Sequence, residues 1–310
     1  MNIRLILNFL TLATGAIAVT FTSIWIGKQS YSWLPPQAAA ESHLVDDLIS
    51  FLVTMGAFIF LGVTAVLLYS ILFHRARDTD FSDGPHIEGN ITLEVVWTAI
   101  PIMLVLWIAT YSYQVYEEMG IQGPNHLLHL HNPIKMVMAN SDNSETPEIT
   151  SKTTKPMEEI DVLAKQWAWV FHYPENNVTS TELHLPSDRR IRLKLHSEDV
   201  LHGFYIPAFR VKQDIIPGHN IDFEFTPIRP GEYRLIDSQY SGTYFATMTA
   251  NVVVENSETY HQWLASAAKN TPSPAPNQAV AEYNLKLKNG IDSGWESIQP
   301  AAPPLVNFPG

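Results

Sequence analysis

Residues Leu48 to Phe73 read LISFLVTMGAFIFLGVTAVLLYSILF. This stretch contains 26 residues and no charged side chain. A helix needs roughly 20 predominantly apolar residues to cross the hydrocarbon core of a bilayer. A buried helix of a soluble protein carries its apolar residues on one stripe, whereas this run is apolar on every face. The run therefore predicts a membrane-spanning helix.

A second apolar run lies between Val95 and Tyr113, again without a charged side chain over its 19 residues. Pro101 lies inside this run. Proline is tolerated in membrane helices because neighbouring helices re-satisfy the carbonyl group that it frees. Together the two runs predict a transmembrane hairpin over residues 41–118, in which Pro101 favours a kink.

A third apolar stretch, Leu5 to Ile26, lies within a hydrophobic N-terminal segment of residues 1–40. Two interpretations of this segment stay open. The stretch is longer than the usual signal-peptide core of roughly 7–15 residues, which favours a retained third helix. The small residues Ala38–Ala40, which precede Glu41, instead favour a signal peptide that is cut after Ala40.

The charges that flank the spans predict their orientation in the membrane. Arg75 and Arg77 lie between the two later spans, and cytoplasmic loops of membrane proteins are enriched in Lys and Arg. The chain after Tyr113 is therefore expected on the outer face, which is periplasmic or lumenal. Only Lys28 opposes this assignment.

The composition limits the chemistry that this chain can perform. Its 19 Lys and Arg residues face 31 Asp and Glu residues, without a basic cluster, so no nucleic-acid partner is expected. There is no cysteine, which excludes disulfides, thiolate zinc sites, iron–sulfur clusters and any copper centre built on Cys. None of the 12 His residues lies inside an apolar run, so the chain offers no transmembrane pair of haem ligands.

Residues 159–256 show the pattern of a β domain. Short β-branched and aromatic segments alternate with turn signals such as Pro217-Gly218 and Pro230-Gly231. From Arg190 to Leu195 the alternation of polar and apolar residues is strict, which places three apolar side chains on a core face. The pattern predicts a sandwich or barrel. The predicted strands are Gln166–Tyr173, Thr181–Leu185, Arg190–Leu195, Leu201–Ile206, Ile221–Phe225, Glu232–Ile236 and Phe245–Val254.

Two regions flank this domain. Residues 119–158 are predicted to be a linker or insertion, because residues 140–156 are rich in Ser, Thr, Asn, Glu and Pro and show no periodicity. Beyond Asn270 the chain is rich in Pro, Ala and Asn. This composition predicts that residues 257–310 form an extended tail.

Four motifs in the right order resemble subunit II of the haem–copper terminal oxidases, the cytochrome c oxidase subunit 2 family. The first motif, EGNITLEVVWT at residues 88–98, resembles the start of the second membrane helix of that family. The others are QWAW at 166–169, EDVLHGF at 198–204 and IPAFRVKQD at 206–214. The resemblance covers roughly residues 48–255. It implies a membrane-anchored α+β protein whose helices precede an outward-facing, cupredoxin-like Greek-key β-barrel.

The family carries a dinuclear copper centre that accepts electrons from cytochrome c. Its ligands follow the pattern Cys-x-Glu-x-Cys-x3-His-x2-Met, with one further His upstream. The matching stretch here is DSQYSGTYFATM at residues 237–248, which keeps the spacing but replaces most ligands. Asp237 and Ser241 stand at the two Cys positions, Gln239 at the Glu position and Phe245 at the His position, while His202 and Met248 remain.

These replacements predict that the electron-accepting copper is absent. A mixed-valence copper pair needs two bridging thiolates for its electronic delocalisation, and a carboxylate and a hydroxyl cannot replace them. Copper-less second subunits occur in bacterial quinol oxidases and in the alternative respiratory terminal oxidases of cyanobacteria. The chain resembles the second branch more, since His202 and Pro207–Asp214 stay near the cytochrome c oxidase pattern.

The resemblance implies subunit II of a proton-translocating quinol:oxygen oxidoreductase. A soluble donor that docks on the outer domain needs a metal relay toward haem in the membrane, whereas a quinol reaches the catalytic subunit from within the bilayer. This chain is then expected to bind no cofactor, and the haems and copper belong to subunit I. The implied partners are subunit I, subunit III, the membrane quinol and the lipid bilayer. The implied membrane is a bacterial plasma membrane or a thylakoid.

Two further residues match positions with roles in the family. The family's Glu at the position of Glu94 sits near the mouth of a proton pathway, so Glu94 is the proton-uptake candidate. Its alternative role is that of an interfacial acid favoured by the N-terminal helix dipole. Trp167 matches the aromatic residue through which the family receives electrons from cytochrome c. Without copper behind it, Trp167 is expected to pack as a strand aromatic.

The sequence offers three further candidate metal sites, each with less support than the copper motif. His202, Asp237 and Met248 could hold one copper ion, although residual ligands satisfied by packing and hydrogen bonding are the expectation. Gln239 removes a carboxylate that helps to bind a magnesium ion at the family's subunit interface, although an amide oxygen can still coordinate. The stretch His126–His131 lacks a nearby Cys or carboxylate, which favours a surface loop.

Two other functions stay open beside the quinol oxidase. One is a cytochrome c oxidase subunit II with a modified or mononuclear copper site, which would need copper bound without Cys. The other is a membrane-tethered module for copper handling or assembly. Co-purification of a haem protein with the chain would count against that module.

Overall fold

The computed structural model describes residues 3–74, 89–121, 157–289 and 298–310. The chain divides into a helical unit, Met1–Leu34 with Leu44–Glu118, and a β unit, Pro35–His43 with Met119–Gly310. The predicted succession of membrane helices and a β domain is confirmed. Some features of the sequence lie outside the described residues, namely Arg75, Arg77, His126–His131 and the polar stretch 140–156.

Within the described residues, the helical unit contains three long helices: α1 (Ile3–Gln29), α2 (Ser42–Phe73) and α3 (Ile91–Met119). Each is long and apolar enough to cross a bilayer. The two predicted spans lie inside α2 and α3, and Pro101 is accommodated within α3. The stretch Leu5–Ile26 is helical as well, in agreement with the interpretation that it forms a third helix.

Helices α1 and α2 pack closely at Gly27. A Cβ atom on Gly27 would collide with the Thr54 hydroxyl and would lie 2.9 Å from the carbonyl oxygen of Ser50. The Ser50 hydroxyl donates a hydrogen bond to the carbonyl oxygen of Gly27 over 2.9 Å. Small and hydroxylated residues at such crossings let two helix backbones approach within a membrane. The glycine therefore fixes the contact between α1 and α2.

Two five-stranded sheets build the β unit within the described part of the chain. The strands are β1 (Glu158–Lys165), β2 (Ala168–Tyr173), β3 (Val178–Ser180), β4 (Leu183–Pro186), β5 (Ile191–Ser197), β6 (His202–Ile206), β7 (Val211–Ile215), β8 (Ile221–Phe225), β9 (Gly231–Asp237) and β10 (Thr249–Glu255). Their order is β3-β2-β1-β5-β8 in one sheet and β4-β10-β9-β6-β7 in the other. This is the cupredoxin-like architecture expected from the sequence.

The core lies between the two sheets and follows the predicted alternation. In β5, Ile191, Leu193 and Leu195 are fully buried, while the residues between them are partly or fully exposed. Leu193 faces Ile160 of β1 in a parallel pair and Phe223 of β8 in an antiparallel pair. Each fully buried aliphatic or aromatic side chain stabilises the fold by about 1.5–3 kcal/mol relative to its exposed state.

The structure corrects the predicted strands in several places, and the short strand β3 was also not predicted. Strand β1 precedes the first predicted segment, and its alternating burial places Ile160 in the core. Strand β7 follows the turn after β6 and pairs with it, although no strand was predicted there. The predicted strand Phe245–Val254 begins only at Thr249, because residues Phe245–Thr247 form a turn of 3-10 helix.

The prediction of an extended tail over residues 257–310 is wrong. The region contains helices α4 (Ser257–Ala267) and α5 (Gln278–Asn289), and strand β11 (Ser273–Pro274) pairs with β12 (Leu305–Val306). The side chain of Asn256 caps α4 by accepting a hydrogen bond from the N–H of Thr259. Tyr260 and Leu264, four residues apart, form a buried stripe on the β unit.

The residues before α2 are part of the β unit. The N–H of Ala38 donates to the carbonyl oxygen of Ala208 over 3.1 Å, and that of Ala40 donates to Thr226 over 2.8 Å. Ala38 and Ala39 are fully buried. The segment Ala38–Ala40, which the signal-peptide interpretation places at a cleavage site, is therefore hydrogen-bonded to the β unit and partly buried in its core.

Candidate functional site

The stretch that matches the family's copper motif forms a loop between β9 and β10. This site loop, residues 237–248, starts at the last residue of β9 and ends immediately before β10. It lies beside the first residue of β6, His202, because β6 pairs with β9 through Phe204 and Asp237. The sheet register thus brings together His202 and Asp237, which are far apart in the sequence.

The carboxylate of Asp237 accepts four hydrogen bonds. Its Oδ2 atom lies 2.8 Å from Nδ1 of His202 and 2.7 Å from the donating hydroxyl of Ser241. Its Oδ1 atom accepts from the backbone N–H groups of Gly203 at 2.7 Å and Gln239 at 3.0 Å. A carboxylate offers about four lone-pair directions, so this one is saturated by the protein.

His202 uses both ring nitrogens. Its Nε2 atom lies 2.9 Å from Oδ1 of Asp199, on the opposite side of the ring from Asp237. The His202 side chain is fully buried, whereas that of Asp199 is 29% exposed. The indole of Trp169 packs edge-on against the imidazole, with 6.2 Å between ring centroids. The ring is therefore held between two carboxylates, an arrangement that suits an imidazolium with two N–H donors.

The electrostatics of the pair favour a charged His202. Burial of the ring is the largest effect and disfavours its charge. The hydrogen bonds to Asp199 and Asp237, together with the charges of both carboxylates, outweigh burial and raise the pKa of His202 above its usual value. Burial also works against the charge of Asp199, but hydrogen bonds from His202 and from the backbone N–H groups of Gln166 and Val200 lower the pKa of its carboxyl group.

The structure brings together only part of the predicted ligand set. Asp237, Ser241 and His202 meet in one hydrogen-bonded network. The side chain of Met248 is buried, and its carbonyl oxygen accepts a hydrogen bond from the N–H of Asp237 over 3.1 Å. Phe245 instead packs edge-on against the exposed ring of Tyr240, 5.2 Å between centroids.

The residues present do not fit the family's dinuclear copper centre. The two bridging positions carry the carboxylate of Asp237 and the hydroxyl of Ser241, which donates a hydrogen bond to that carboxylate over 2.7 Å. The two nitrogens of His202 point to separate carboxylates and not to a shared centre. Among the described residues, no group of three or more His, Cys, Asp or Glu side chains is arranged to hold a metal ion.

The side chain of Gln239 makes its hydrogen bond outside the network of His202, Asp237 and Ser241. Its Nε2 atom donates to Oδ2 of Asp214 over 2.9 Å, and the backbone N–H of Gln239 donates to Asp237. Asp214 belongs to β7 and lies opposite Gly203 in the sheet register. The residue at the family's magnesium-binding position is therefore tied to the neighbouring strand.

Trp167 is packed, 2% exposed, but it lies in the turn between β1 and β2 and not in the strand that the sequence predicts. Its Nε1 donates to the carbonyl oxygen of Ser241 over 3.2 Å, and its ring meets Tyr244 edge-on with 5.1 Å between centroids. Gly242 lies against the indole at φ +117°, where a Cβ atom would be 2.8 Å from Trp167 Cζ2. A side chain larger than glycine would be both strained and in collision at this position.

Two residues of the network escaped the sequence prediction, Asp199 and Gln166. Asp199 precedes His202 by three residues. This short spacing was the sequence signal from which a contact between the two side chains could have been predicted. Gln166 ties the network together, because its N–H donates to Asp199 over 2.7 Å and its amide donates to the carbonyl oxygen of Ser241 over 2.6 Å. From the sequence alone, the side chain of Gln166 could not be distinguished from that of a surface glutamine.

Glu94 belongs to the helical unit and lies in the first turn of α3. The side chain of Asn90 caps this helix by accepting from the N–H of Leu93 over 3.1 Å. The carboxylate of Glu94 is exposed at the positive end of the helix dipole. Its position is compatible with both the interfacial role and the proton-uptake role.

Three helices apolar enough to cross a membrane, a cupredoxin-like β domain and a hydrogen-bonded network in the loop between β9 and β10 characterise a membrane-anchored cupredoxin-like protein. Comparison with known families agrees. The description "Cytochrome C oxidase subunit II, transmembrane domain" matches residues 27–115, and "Cytochrome C oxidase subunit II, periplasmic domain" matches residues 178–257.

Similar proteins with assigned names support membership of the same family. The cytochrome c oxidase subunit 2 of Synechocystis sp. is 35% identical over 291 residues, covering 88% of this chain and 85% of the relative. That of Thermostichus vulcanus is 32% identical, with 81% and 83% covered. The quinol oxidase subunit 2 of Bacillus subtilis is 26% identical, with 83% and 71% covered.

The chain belongs to the cytochrome c oxidase subunit II family of the haem–copper terminal oxidases. It is an integral membrane protein whose C-terminal domain lies on the periplasmic side.

Proposed function

We propose that this chain is the copper-less subunit II of a proton-translocating quinol:oxygen oxidoreductase. The observation that carries the proposal is the saturated network at Asp237. The carboxylate stands at the first thiolate position of the family's copper motif, and protein donors occupy its acceptor positions. The retained histidine, His202, is bonded to carboxylates through both nitrogens.

The donor follows from the loss of the relay. A water-soluble one-electron carrier that docks on the outer domain needs a redox centre between itself and haem in the membrane. The side chains of this network are not such a centre at physiological potentials. A quinol dissolved in the bilayer needs no outer relay, because it can deliver electrons directly to the haem of subunit I. The outer domain then has a structural role.

The surroundings of Trp167 support the same donor. In the family this position receives electrons from cytochrome c. Here the indole is 2% exposed and its N–H is bonded to the site loop at Ser241. A buried indole whose N–H is hydrogen-bonded within the domain is suited to packing.

The proposal includes the partners of the complex. Subunit I supplies the haems and copper at which oxygen is reduced, and subunit III completes the assembly. Within this chain, Glu94 is the residue proposed to collect protons on the cytoplasmic side. Its exposed carboxylate at the start of α3 supports that role.

One observation favours a second candidate, a cytochrome c oxidase subunit II with modified copper. The relatives from Synechocystis sp. and Thermostichus vulcanus, both above 30% identity, carry the name cytochrome c oxidase subunit 2. For this chain, the candidate requires copper bound by His202, Asp237 and Met248. Copper would then have to displace the hydrogen bond between His202 and Asp237.

The copper content of the intact oxidase complex separates the two candidates. Copper and haem are quantified in complexes that carry the wild-type chain, His202→Gln or Met248→Leu. The quinol oxidase proposal expects the same ratio of copper to haem in all three, because all copper belongs to subunit I. A ratio that falls in either variant would show copper in this chain and overturn the proposal.

A further inference from the structure

The C-terminal segment, residues 273–289 with 298–310, closes on itself and on the β unit. Ser273 of β11 faces Val306 of β12 in an antiparallel pair, and the N–H of Ala275 donates to the carbonyl oxygen of Pro304 over 2.9 Å. Ala279 of α5 is 1% exposed and belongs to the hydrophobic core of the domain. The segment is therefore an integral layer of the domain.

The end of the segment is fixed to the edge strand β3. The Oδ1 atom of Asn307 accepts from both the N–H and the hydroxyl of Thr179, each over 3.0 Å. The N–H of Phe308 donates to the carbonyl oxygen of Thr179 over 3.0 Å. The ring of Phe308 packs edge-on against His184 and Trp263. This end is anchored by hydrogen bonds and by aromatic contacts.

The middle of the segment is bonded to the turn at Gln166 and Trp167. The N–H of Ala301 donates to the carbonyl oxygen of Gln166 over 2.7 Å. The side-chain amide of Asn277 donates to the carbonyl oxygen of Trp167 over 3.2 Å. Both carbonyl oxygens of the turn are thus satisfied by the C-terminal segment.

The same two residues hold the site loop from their other side. The side-chain amide of Gln166 and the indole N–H of Trp167 both donate to the carbonyl oxygen of Ser241, over 2.6 Å and 3.2 Å. The N–H of Gln166 also donates to Asp199 over 2.7 Å. The turn consequently lies between the C-terminal segment and the network at His202, with hydrogen bonds to both.

We propose that the C-terminal segment is a latch for the site loop and acts through the Gln166–Trp167 turn. Binding of the segment fixes both carbonyl groups of the turn and orients the two donors that hold Ser241. Release of the segment frees the turn, and the loop at residues 237–248 becomes more mobile. The latch depends only on these contacts and holds for either electron donor.

Two substitutions remove one bond each between the segment and the turn. Ala301→Pro removes the N–H that reaches Gln166. Asn277→Asp removes the donor to Trp167 but keeps the Oδ1 atom, which caps α5 by accepting from the N–H of Val280 over 3.1 Å. Ala302→Pro is the matched control, because Ala302 is exposed and its N–H makes no hydrogen bond within the described part of the chain.

Hydrogen exchange of the full-length chain in its complex, followed by mass spectrometry, tests the latch. Loss of one hydrogen bond is expected to speed exchange in peptides covering residues 237–248 about fivefold, with the control unchanged. Unchanged exchange in those peptides, together with faster exchange at residues 298–310, would overturn the proposal. If Ala301→Pro also loosens β5 and β10, the domain has unfolded, and Asn277→Asp decides by the same criterion.

Discussion

The Nδ1 atom of His202 lies 2.8 Å from Oδ2 of Asp237, and neither side chain is exposed to solvent. The pair joins the start of β6 to the end of β9 across the part of the domain where the family builds its copper centre. Buried ion pairs contribute little net stability compared with apolar packing, but the loss of one partner is strongly destabilising. The pair is therefore expected to hold the site loop in place.

Asp237→Asn is expected to destabilise the outer domain by about 3 kcal/mol. The amide replaces one oxygen by an NH2 group, so two of the four donors lose their acceptor, and His202 loses one of its two counter-charges. Thermal unfolding of the full-length protein in detergent, followed by near-ultraviolet circular dichroism, measures the change. Asp222→Asn, on the exposed side of β8, serves as the control. Unfolding of Asp237→Asn at the wild-type temperature would contradict this account.

The stability of the outer domain should fall as the pH rises above neutral. The pKa of His202 is raised in the folded state, so its contribution is complete below the ordinary histidine value of about 6.5 and is lost as pH passes through the raised value. The pKa of Asp199 is lowered, so its contribution is present above the ordinary carboxyl range and is lost only in more acidic solution.

The measurement compares thermal unfolding of the wild type and His202→Gln between pH of about 5 and about 9. The difference in stability between them should be largest near the acidic half of this range and should shrink toward the alkaline end. A difference that grows with pH would show that His202 is neutral in the folded protein.

Glu94→Gln tests the two roles of the carboxylate at the start of α3. If Glu94 collects protons, the substitution is expected to slow quinol-driven oxygen consumption by about tenfold, since proton delivery limits turnover. If the carboxylate only complements the helix dipole, the substitution costs about 0.3–1 kcal/mol of stability and leaves turnover unchanged. Glu118→Gln, at the other end of α3, is the matched control. Equal turnover in both variants would remove Glu94 from the proton path.

The segment Ala38–Ala40 is expected to remain in the folded protein. Its backbone bonds to Ala208 and Thr226, and the burial of Ala38 and Ala39, would be lost if the chain were cut after Ala40. The intact mass of the chain purified from membranes checks this expectation. A mature N-terminus at Glu41 would show that the β unit folds without these contacts.

The membrane helices and the strict alternation of β5 were predictable because each depends on a local pattern. A run such as Leu48–Phe73 identifies itself by length and lack of charge, and Ile191, Leu193 and Leu195 by their period of two. The tail was mispredicted because its Pro and Ala content obscured the apolar pair Tyr260 and Leu264. Composition describes average behaviour, whereas one capped and amphipathic helix is enough to dock a segment.

The sequence predicted which residues lie at the site, but it did not predict the hydrogen bonds between them. The motif spacing places Asp237, Ser241 and His202 together, because the family's ligands must converge. It does not reveal that Asp199 holds the other nitrogen of His202, or that Gln166 connects the loop to the C-terminal segment. Those contacts depend on turn geometry and on the pairing of residues far apart in sequence. Side-chain hydrogen bonds of this kind follow from tertiary structure.

Oxygen consumption by the purified complex shows whether quinol or cytochrome c is the electron donor. A short-chain quinol and reduced cytochrome c are supplied in turn to the same preparation at matched electron supply. We expect rapid consumption with the quinol and negligible consumption with cytochrome c, because the network at His202 and Asp237 provides no relay. Rapid consumption with cytochrome c would overturn the quinol oxidase proposal, since electrons would then be entering through the outer domain.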